Sequence, residues 1–295
     1  MDRRFRIAGK VYIVGAGPGD RELLTLRAAR LLSSADVVLH DDLVSPDVLE
    51  LVPPRAHVQN VGKRCRRAVV TQEEIARRLI DFALQGLTVI RLKGGDPLIY
   101  GRAGEEMDAL RDAGIEFEIV PGVTAAFAAA AAAQIPLTDR RVASRLLFVT
   151  NHHSRQKDGA GWGDLATRNT TLVVYMPGDD ASRHIAELIE SGLAAETPCT
   201  LISRAGLPGQ RTVQTTLSGM ANLAKLPSPS LIILGEVACA RPGRMHAEVQ
   251  LKLSASRDSA PNSFFEIRLG ESEGVLPTAQ ESTRAAHTGG RARVR

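Results

Sequence analysis

Apolar residues along this chain fall into short β-branched runs, each separated from the next by a longer stretch in which they recur at helical spacing. That alternation predicts α/β architecture with largely parallel strands, since parallel neighbours need a crossover and a helix is the usual one. In the first half the pattern predicts strands at Val11–Val14, Val37–His40, His57–Val61, Thr88–Leu92 and Phe117–Val120. Helical spacing runs over Leu23–Leu32 and Glu73–Leu84, and Thr124 stands where its side chain can cap an alanine-rich helix. The second half predicts strands at Leu146–Thr150, Thr171–Tyr175, Thr200–Ser203 and Leu231–Leu234, with a helix over Ala181–Ser191. Thr212–Leu217 reads as an added strand, suited to antiparallel pairing. Ile135–Arg141 has no period and reads as the connection between two α/β domains, 1–137 and 138–243. Residues 244–295 are rich in Ser, Arg, Ala, Gly and Glu, a composition that predicts a disordered tail without catalytic function.

The stretch Val89–Glu106 carries the strongest functional signal. An apolar strand breaks at Gly94-Gly95-Asp96-Pro97, then at Gly101 and Gly104, before a helix predicted to begin near Glu105. Glycines at the carboxyl end of a strand let a ligand approach the backbone, and open α/β sheets bind ligands at that edge. A plain strand-to-helix turn needs one glycine, so the repeated glycines favour a binding loop. Asp96 within it offers an acceptor to a hydroxyl or a cation.

Composition narrows the class. With 44% hydrophobic and only 4% aromatic residues, the core must be built from Ala, Val, Leu and Ile. A net charge of +4 suits a polyanionic small substrate, and no aromatic-interleaved basic patch points to nucleic acid. Cys65, Cys199 and Cys239 are scattered and have no His at metal-ligand spacing, so neither a metal site nor a disulfide framework is expected. The longest apolar run, Ala125–Ala133, falls well short of the ~20 residues of a membrane span, and a cytoplasmic protein is the expectation. Gly15-Ala16-Gly17-Pro18-Gly19-Asp20 looks at first like a dinucleotide fingerprint. Its third glycine is replaced by Asp20 and Pro18 stiffens the turn, which disfavours an NAD-dependent oxidoreductase.

The same segments carry a family resemblance. Val14–Asp20 with Leu23–Arg27, Asp36–Ser45, Gly62-Lys63-Arg64, Arg91–Pro97, Pro121–Ala126, Ile135–Thr138, Tyr175-Met176 and Pro229–Val237 occur in order. Together they resemble the uroporphyrinogen-III C-methyltransferase family over roughly Gly9–Pro242, within the wider tetrapyrrole methyltransferase superfamily. The resemblance implies two αβα domains with S-adenosyl-L-methionine in the inter-domain cleft, a fold distinct from the Rossmann-like methyltransferases. It implies a homodimer that methylates two pyrrole carbons of uroporphyrinogen III to give precorrin-2, leaving S-adenosyl-L-homocysteine. A relative acting on a later precorrin is the nearest alternative, and the Asp-x-Leu-Val-Ser and Gly-Lys-Arg elements argue against it. An RNA-binding protein is the reading that the basic pI alone would allow.

Residue by residue, the resemblance assigns Asp41 as proton acceptor and Lys63 as proton donor. Pro18, Gly94, Gly95, Asp96, Ile99, Thr124, Ala125, Met176 and Ala205 would contact the cofactor, many through backbone groups. Arg64 and Arg140 would bind the substrate's carboxylate arms, with Arg66, Arg67 and Arg141 as further candidates. The chain departs from the family pattern at His40-Asp41-Asp42, Thr138-Asp139-Arg140, Thr150-Asn151-His152, Leu98 and Tyr100.

Overall fold

Strands that are apolar on both faces need cover on both faces, and each of the two sheets here has it. The computed structural model describes residues 8–62, 70–150, 169–178, 181–190, 192–224 and 226–239. Lys63, Arg64, Arg66 and Arg67 lie outside these residues, as do Asn151, His152 and the tail.

The first sheet comprises β1 (Val11–Gly15), β2 (Val37–His40), β3 (His57–Asn60), β4 (Val89–Lys93) and β5 (Phe117–Val120), in the order β3-β2-β4-β1-β5. Every neighbouring pair is parallel, as the strand–helix alternation predicts. Two-residue periodicity sends Val11, Ile13, Val37, Leu39 and Val89 to one face, against α3 (Gln72–Leu84) and α4 (Ala103–Asp112). Val14, Val38, Ile90 and Leu92 meet α1 (Leu26–Ser33) and α2 (Pro46–Leu49) on the other. Complete burial of each such aliphatic side chain contributes roughly 1.5–3 kcal/mol.

Local caps set the helix starts. The Thr25 hydroxyl accepts from the Ala28 amide at 3.1 Å, so α1 begins at Leu26 and not at Leu23. Asp20 instead caps a single 3-10 turn, Arg21–Leu23, by accepting from the Glu22 amide. No α-helix therefore opens directly behind the first glycine loop, which is what a pyrophosphate-binding fingerprint would need. Thr71 caps α3, with Glu73 and Glu74 at the positive end of the helix dipole.

The second sheet comprises β6 (Arg145–Thr150), β7 (Thr170–Tyr175), β8 (Pro198–Ser203), β9 (Arg211–Thr216) and β10 (Ser230–Leu234), in the order β6-β7-β10-β8-β9. Only β6 and β7 are parallel. β10 runs antiparallel to both β7 and β8, and β9 is antiparallel to β8. The expectation of largely parallel strands thus fails for this half, while the added antiparallel strand near Thr212 is present. Apolar runs report burial on both faces, and they carry no sign of strand direction.

Between the sheets in sequence lies α5 (Ala125–Ala132), whose Ala126, Ala129 and Ala130 pack on Val173, Ile202 and Ile233 of the second sheet. Side chains of one carbon let this helix lie close to the strands it covers. The opposite face is covered by α6 (Ala181–Glu190) and α7 (Leu217–Met220), through Ile185, Leu188, Leu217 and Met220. Among the described residues no helix is long and apolar enough to cross a membrane.

Cys199 lies fully buried in this last layer, and burial pushes its thiol up from 9.0 to about 12. A raised folded-state pKa contributes stability that is complete below the unfolded value and is lost as pH rises through the folded one. Relative to Cys199→Ala, the natural chain should lose unfolding free energy progressively between pH 9 and pH 12. Parallel pH profiles for the two proteins in denaturant titrations would contradict this.

Candidate active site

Parallel strands of the first sheet end together, and their ends are joined without side chains. Gly17 and Gly95 form a two-bond bridge, with the Gly95 amide donating to the Gly17 carbonyl at 2.7 Å and the Gly17 amide donating back at 3.2 Å. Gly95 has φ +67°, a conformation that favours glycine. A Cβ on Gly122, just beyond β5, would stand 2.3 Å from the Gly95 carbonyl oxygen and 2.8 Å from the Gly15 Cα. The ends of β1, β4 and β5 therefore form a bare backbone floor. Asp96 fastens this floor, since its carboxylate accepts from the Gly122 amide at 3.0 Å and from the Leu98 amide at 2.9 Å. The cation or hydroxyl acceptor expected at Asp96 is thus occupied with backbone. Gly104, by contrast, faces open space on α4, so packing does not require the second glycine of that pair.

Above the floor is a cavity whose opposite wall comes from the second sheet. Reversal of β10 brings its first residues beside the last residues of β7 and β8, pairing Leu231 with both Tyr175 and Ile202. Pro229, Ser230 and Leu231 consequently line the same space as Tyr175, Met176 and Ala205. All nine positions assigned to the cofactor (Pro18, Gly94, Gly95, Asp96, Ile99, Thr124, Ala125, Met176 and Ala205) line this one cavity, and so does Asp41. Thr124 precedes α5 but does not cap it with its side chain. Its hydroxyl is 2.6 Å from the Tyr175 hydroxyl, which also accepts from the Ala126 amide at 3.2 Å. Burial is the main cause that raises the Tyr175 pKa. Tyr100, one of the departures from the family pattern, packs against Tyr175 at 5.0 Å between ring centroids.

Arg140 is not among the lining residues. It is exposed at the tip of a turn closed by paired hydrogen bonds between Asp139 and Ala143. Asp139 binds the Arg141 guanidinium in that turn, which takes up the charge of this departure position.

Sequence reasoning missed a buried charge network beside Asp41. β4 reads Val-Ile-Arg-Leu-Lys, and period two places Arg91 and Lys93 on the Val89 face, beneath α4. There Glu106, fully buried, accepts from Arg91 Nε at 2.9 Å and from Lys93 Nζ at 3.0 Å. Arg91 reaches on to Asp41, donating from Nη2 to Oδ1 at 2.5 Å. Burial opposes the charge on Arg91, but Asp41 and Glu106 outweigh it and its pKa rises. For Lys93 burial and the neighbouring Arg91 prevail, and its pKa falls. The available signal was two basic residues inside an otherwise apolar central strand, which must be paired if buried. Leu43, Ile202 and Leu207 also line the cavity, and apolar residues of this kind leave no mark in a sequence that separates wall from core.

Two α/β layers with a ligand-sized cavity where their strand ends converge define a small-molecule enzyme of the layered α/β class. The chain belongs to the tetrapyrrole (corrin/porphyrin) methylases, whose family model matches residues 10–221. It is 46% identical over 251 residues to a uroporphyrinogen-III C-methyltransferase of Paracoccus denitrificans, covering 81% of this chain and 86% of that protein. A siroheme synthase of Zymomonas mobilis is 47% identical over 230 residues, or 78% of this chain and 49% of the relative. The chain therefore spans about half the length of the siroheme synthases it matches. In fold it is similar to a uroporphyrin-III C-methyltransferase of Thermus thermophilus complexed with S-adenosyl homocysteine. That likeness has TM-score 0.68 and 39% identity, covering 78% of this chain and 93% of the other.

Gly122→Ala tests the floor. Its methyl group would displace backbone, so stability should fall by about 1–3 kcal/mol. The denaturant midpoint reads this directly, and an unchanged midpoint would show that the three strand ends can separate freely.

Proposed function

We propose that this chain transfers methyl groups from S-adenosyl-L-methionine to two pyrrole carbons of uroporphyrinogen III, giving precorrin-2. The observation that carries the reading is the convergence of Asp41 and the nine assigned cofactor positions on one cavity, in a member of this family. The cavity also suits the methyl donor chemically. A Cβ on Gly94 would meet only the Leu43 Cβ, at 3.3 Å, so side chains here would fill the space a ligand needs. Among its described lining residues there is no Lys or Arg to balance a phosphate, and the two carboxylates that line it, Asp41 and Asp96, would oppose one.

S-adenosyl-L-methionine supplies an electrophilic methyl group when bound. The chain's own task is alignment, since a pyrrole carbon is already nucleophilic, and orientation of two reactants can contribute roughly 7–11 kcal/mol. Pro18, Ile99, Ala125 and Ala205 present apolar surface that excludes water from the reacting centre. Asp41 takes the proton released after methylation, and Lys63 serves as donor. The substrate's carboxylate arms are assigned to the basic segment around Arg64 and to exposed Arg140. We read the two sheets as two domains meeting near Thr138, and the working unit as a cytoplasmic homodimer. Exposed Phe127 and Leu146 supply apolar surface for such an interface.

The direct test is incubation with S-adenosyl-L-methionine and uroporphyrinogen III, with the product identified by mass. A gain of two methyl groups is expected, and methylation of a later precorrin alone would redirect the assignment. Asp41→Asn should lower turnover by roughly 10²–10⁴ while leaving S-adenosyl-L-homocysteine affinity nearly unchanged. Gly95→Leu should abolish that affinity, because its side chain would enter the cavity from a left-handed backbone position. Calorimetry showing equal affinity in the Gly95 variant would remove the cavity as the cofactor site.

A further inference from the structure

A carboxylate that must take a proton at one place in a cavity needs its direction held. Asp41 stands just beyond the end of β2, where its amide still donates to the Leu92 carbonyl at 3.2 Å but the strand ladder does not direct its side chain. Its side chain is 31% exposed, whereas that of its partner Arg91 is 1% exposed and that of Glu106 is fully buried. The guanidinium of Arg91 is constrained on all three nitrogens. Nε donates to Glu106, Nη1 donates to the carbonyls of Leu39 at 3.3 Å and Leu92 at 3.2 Å, and Nη2 is directed at Asp41. Glu106 is constrained in turn, because Lys93 Nζ also donates to its Oε2 at 3.1 Å. The chain of contacts thus runs from the interior of α4, across β4, to the one carboxylate of the network that reaches the cavity.

We propose that Glu106 and Arg91 are positioning residues that aim the Asp41 carboxylate at the proton it takes. This rests on the reading of Asp41 as the proton acceptor. A planar guanidinium can hold Glu106, two carbonyls and Asp41 at once because its donors form a rigid fork. An ammonium in its place keeps the positive charge but cannot span all four acceptors. Small displacements of a reacting group are costly in rate, with ~1 Å corresponding to about 10²-fold. If the network served only to neutralise β4, its loss would act on stability and on ligand affinity, independently of Asp41. If it aims Asp41, its loss acts on turnover and only while Asp41 is present.

The experiment uses the full chain with S-adenosyl-L-methionine and uroporphyrinogen III, and compares Arg91→Lys, Glu106→Gln, Asp41→Asn and the double variant Arg91→Lys/Asp41→Asn. Arg91→Lys should lower kcat by roughly 10–100-fold with KM and S-adenosyl-L-homocysteine affinity little changed. The double variant should be no slower than Asp41→Asn alone, because residues acting through one group are not additive. Glu106→Gln should show the same kcat loss, and if it fails to fold, the Arg91→Lys comparison decides alone. Rate losses that multiply in the double variant, or an Arg91→Lys enzyme with full kcat, overturn the positioning role while leaving Asp41 as base. A fully active Asp41→Asn enzyme removes the base itself, and the positioning role with it. Should Asp41→Asn have no measurable turnover, the kcat-against-KM split of Arg91→Lys decides: a loss confined to kcat supports the role, and a loss shared with ligand affinity overturns it.

Discussion

A central parallel strand buried on both faces is a poor place for two cations, and β4 contains Arg91 and Lys93. Desolvation of each costs several kcal/mol, so the strand is tolerable only with a carboxylate delivered to the same depth. Glu106 provides it from α4, and the whole turn between β4 and α4 is arranged so that this residue arrives under the strand. Tyr100 and Arg102 both adopt left-handed backbone conformations on the way, a local strain that the packed surroundings must maintain. The glycine-rich loop is therefore bounded at one end by paired charges and at the other by the helix that pairs them. Its geometry is set by electrostatics in the interior as much as by the glycines themselves.

The floor of the cavity follows a different rule. Where β1, β4 and β5 end, a single methyl group on Gly15 or Gly122 would collide with main chain, the Gly95 carbonyl included. Recognition at such a place must come from backbone shape and from neighbouring side chains such as Ile99, Thr124 and Ala125. This accounts for a binding region made mainly of small and apolar residues, with few groups that would look reactive in isolation.

Much of this was legible in the sequence, for identifiable reasons. The strands and helices of the first half show clear periodicity, and the positions of Gly94–Pro97 and Pro121–Gly122 mark strand ends where a ligand can approach. The resemblance then grouped residues as distant as Pro18 and Ala205, which periodicity could not have done. Strand direction in the second half was not legible, because a strand covered on both faces reads alike in either direction. Thr124 looked like a cap, and only the three-dimensional placement of Tyr175 shows where its hydroxyl goes. Arg91 and Lys93 stand within or beside a run that reads simply as a buried apolar strand, although their spacing already places both on one face of β4.

Among the described residues β10 is the last strand in chain order and the middle strand of its sheet. Until it is in place, β6–β7 and β8–β9 are two separate ribbons, and isolated two-stranded ribbons are marginal in water. The same strand brings Pro229, Ser230 and Leu231 to the wall facing the glycine floor. During synthesis, then, the chain has most of its cavity long before it has a cavity that closes. Ligand recognition therefore waits for β10, and a chain that stops short of it lacks part of the wall that would enclose the methyl donor.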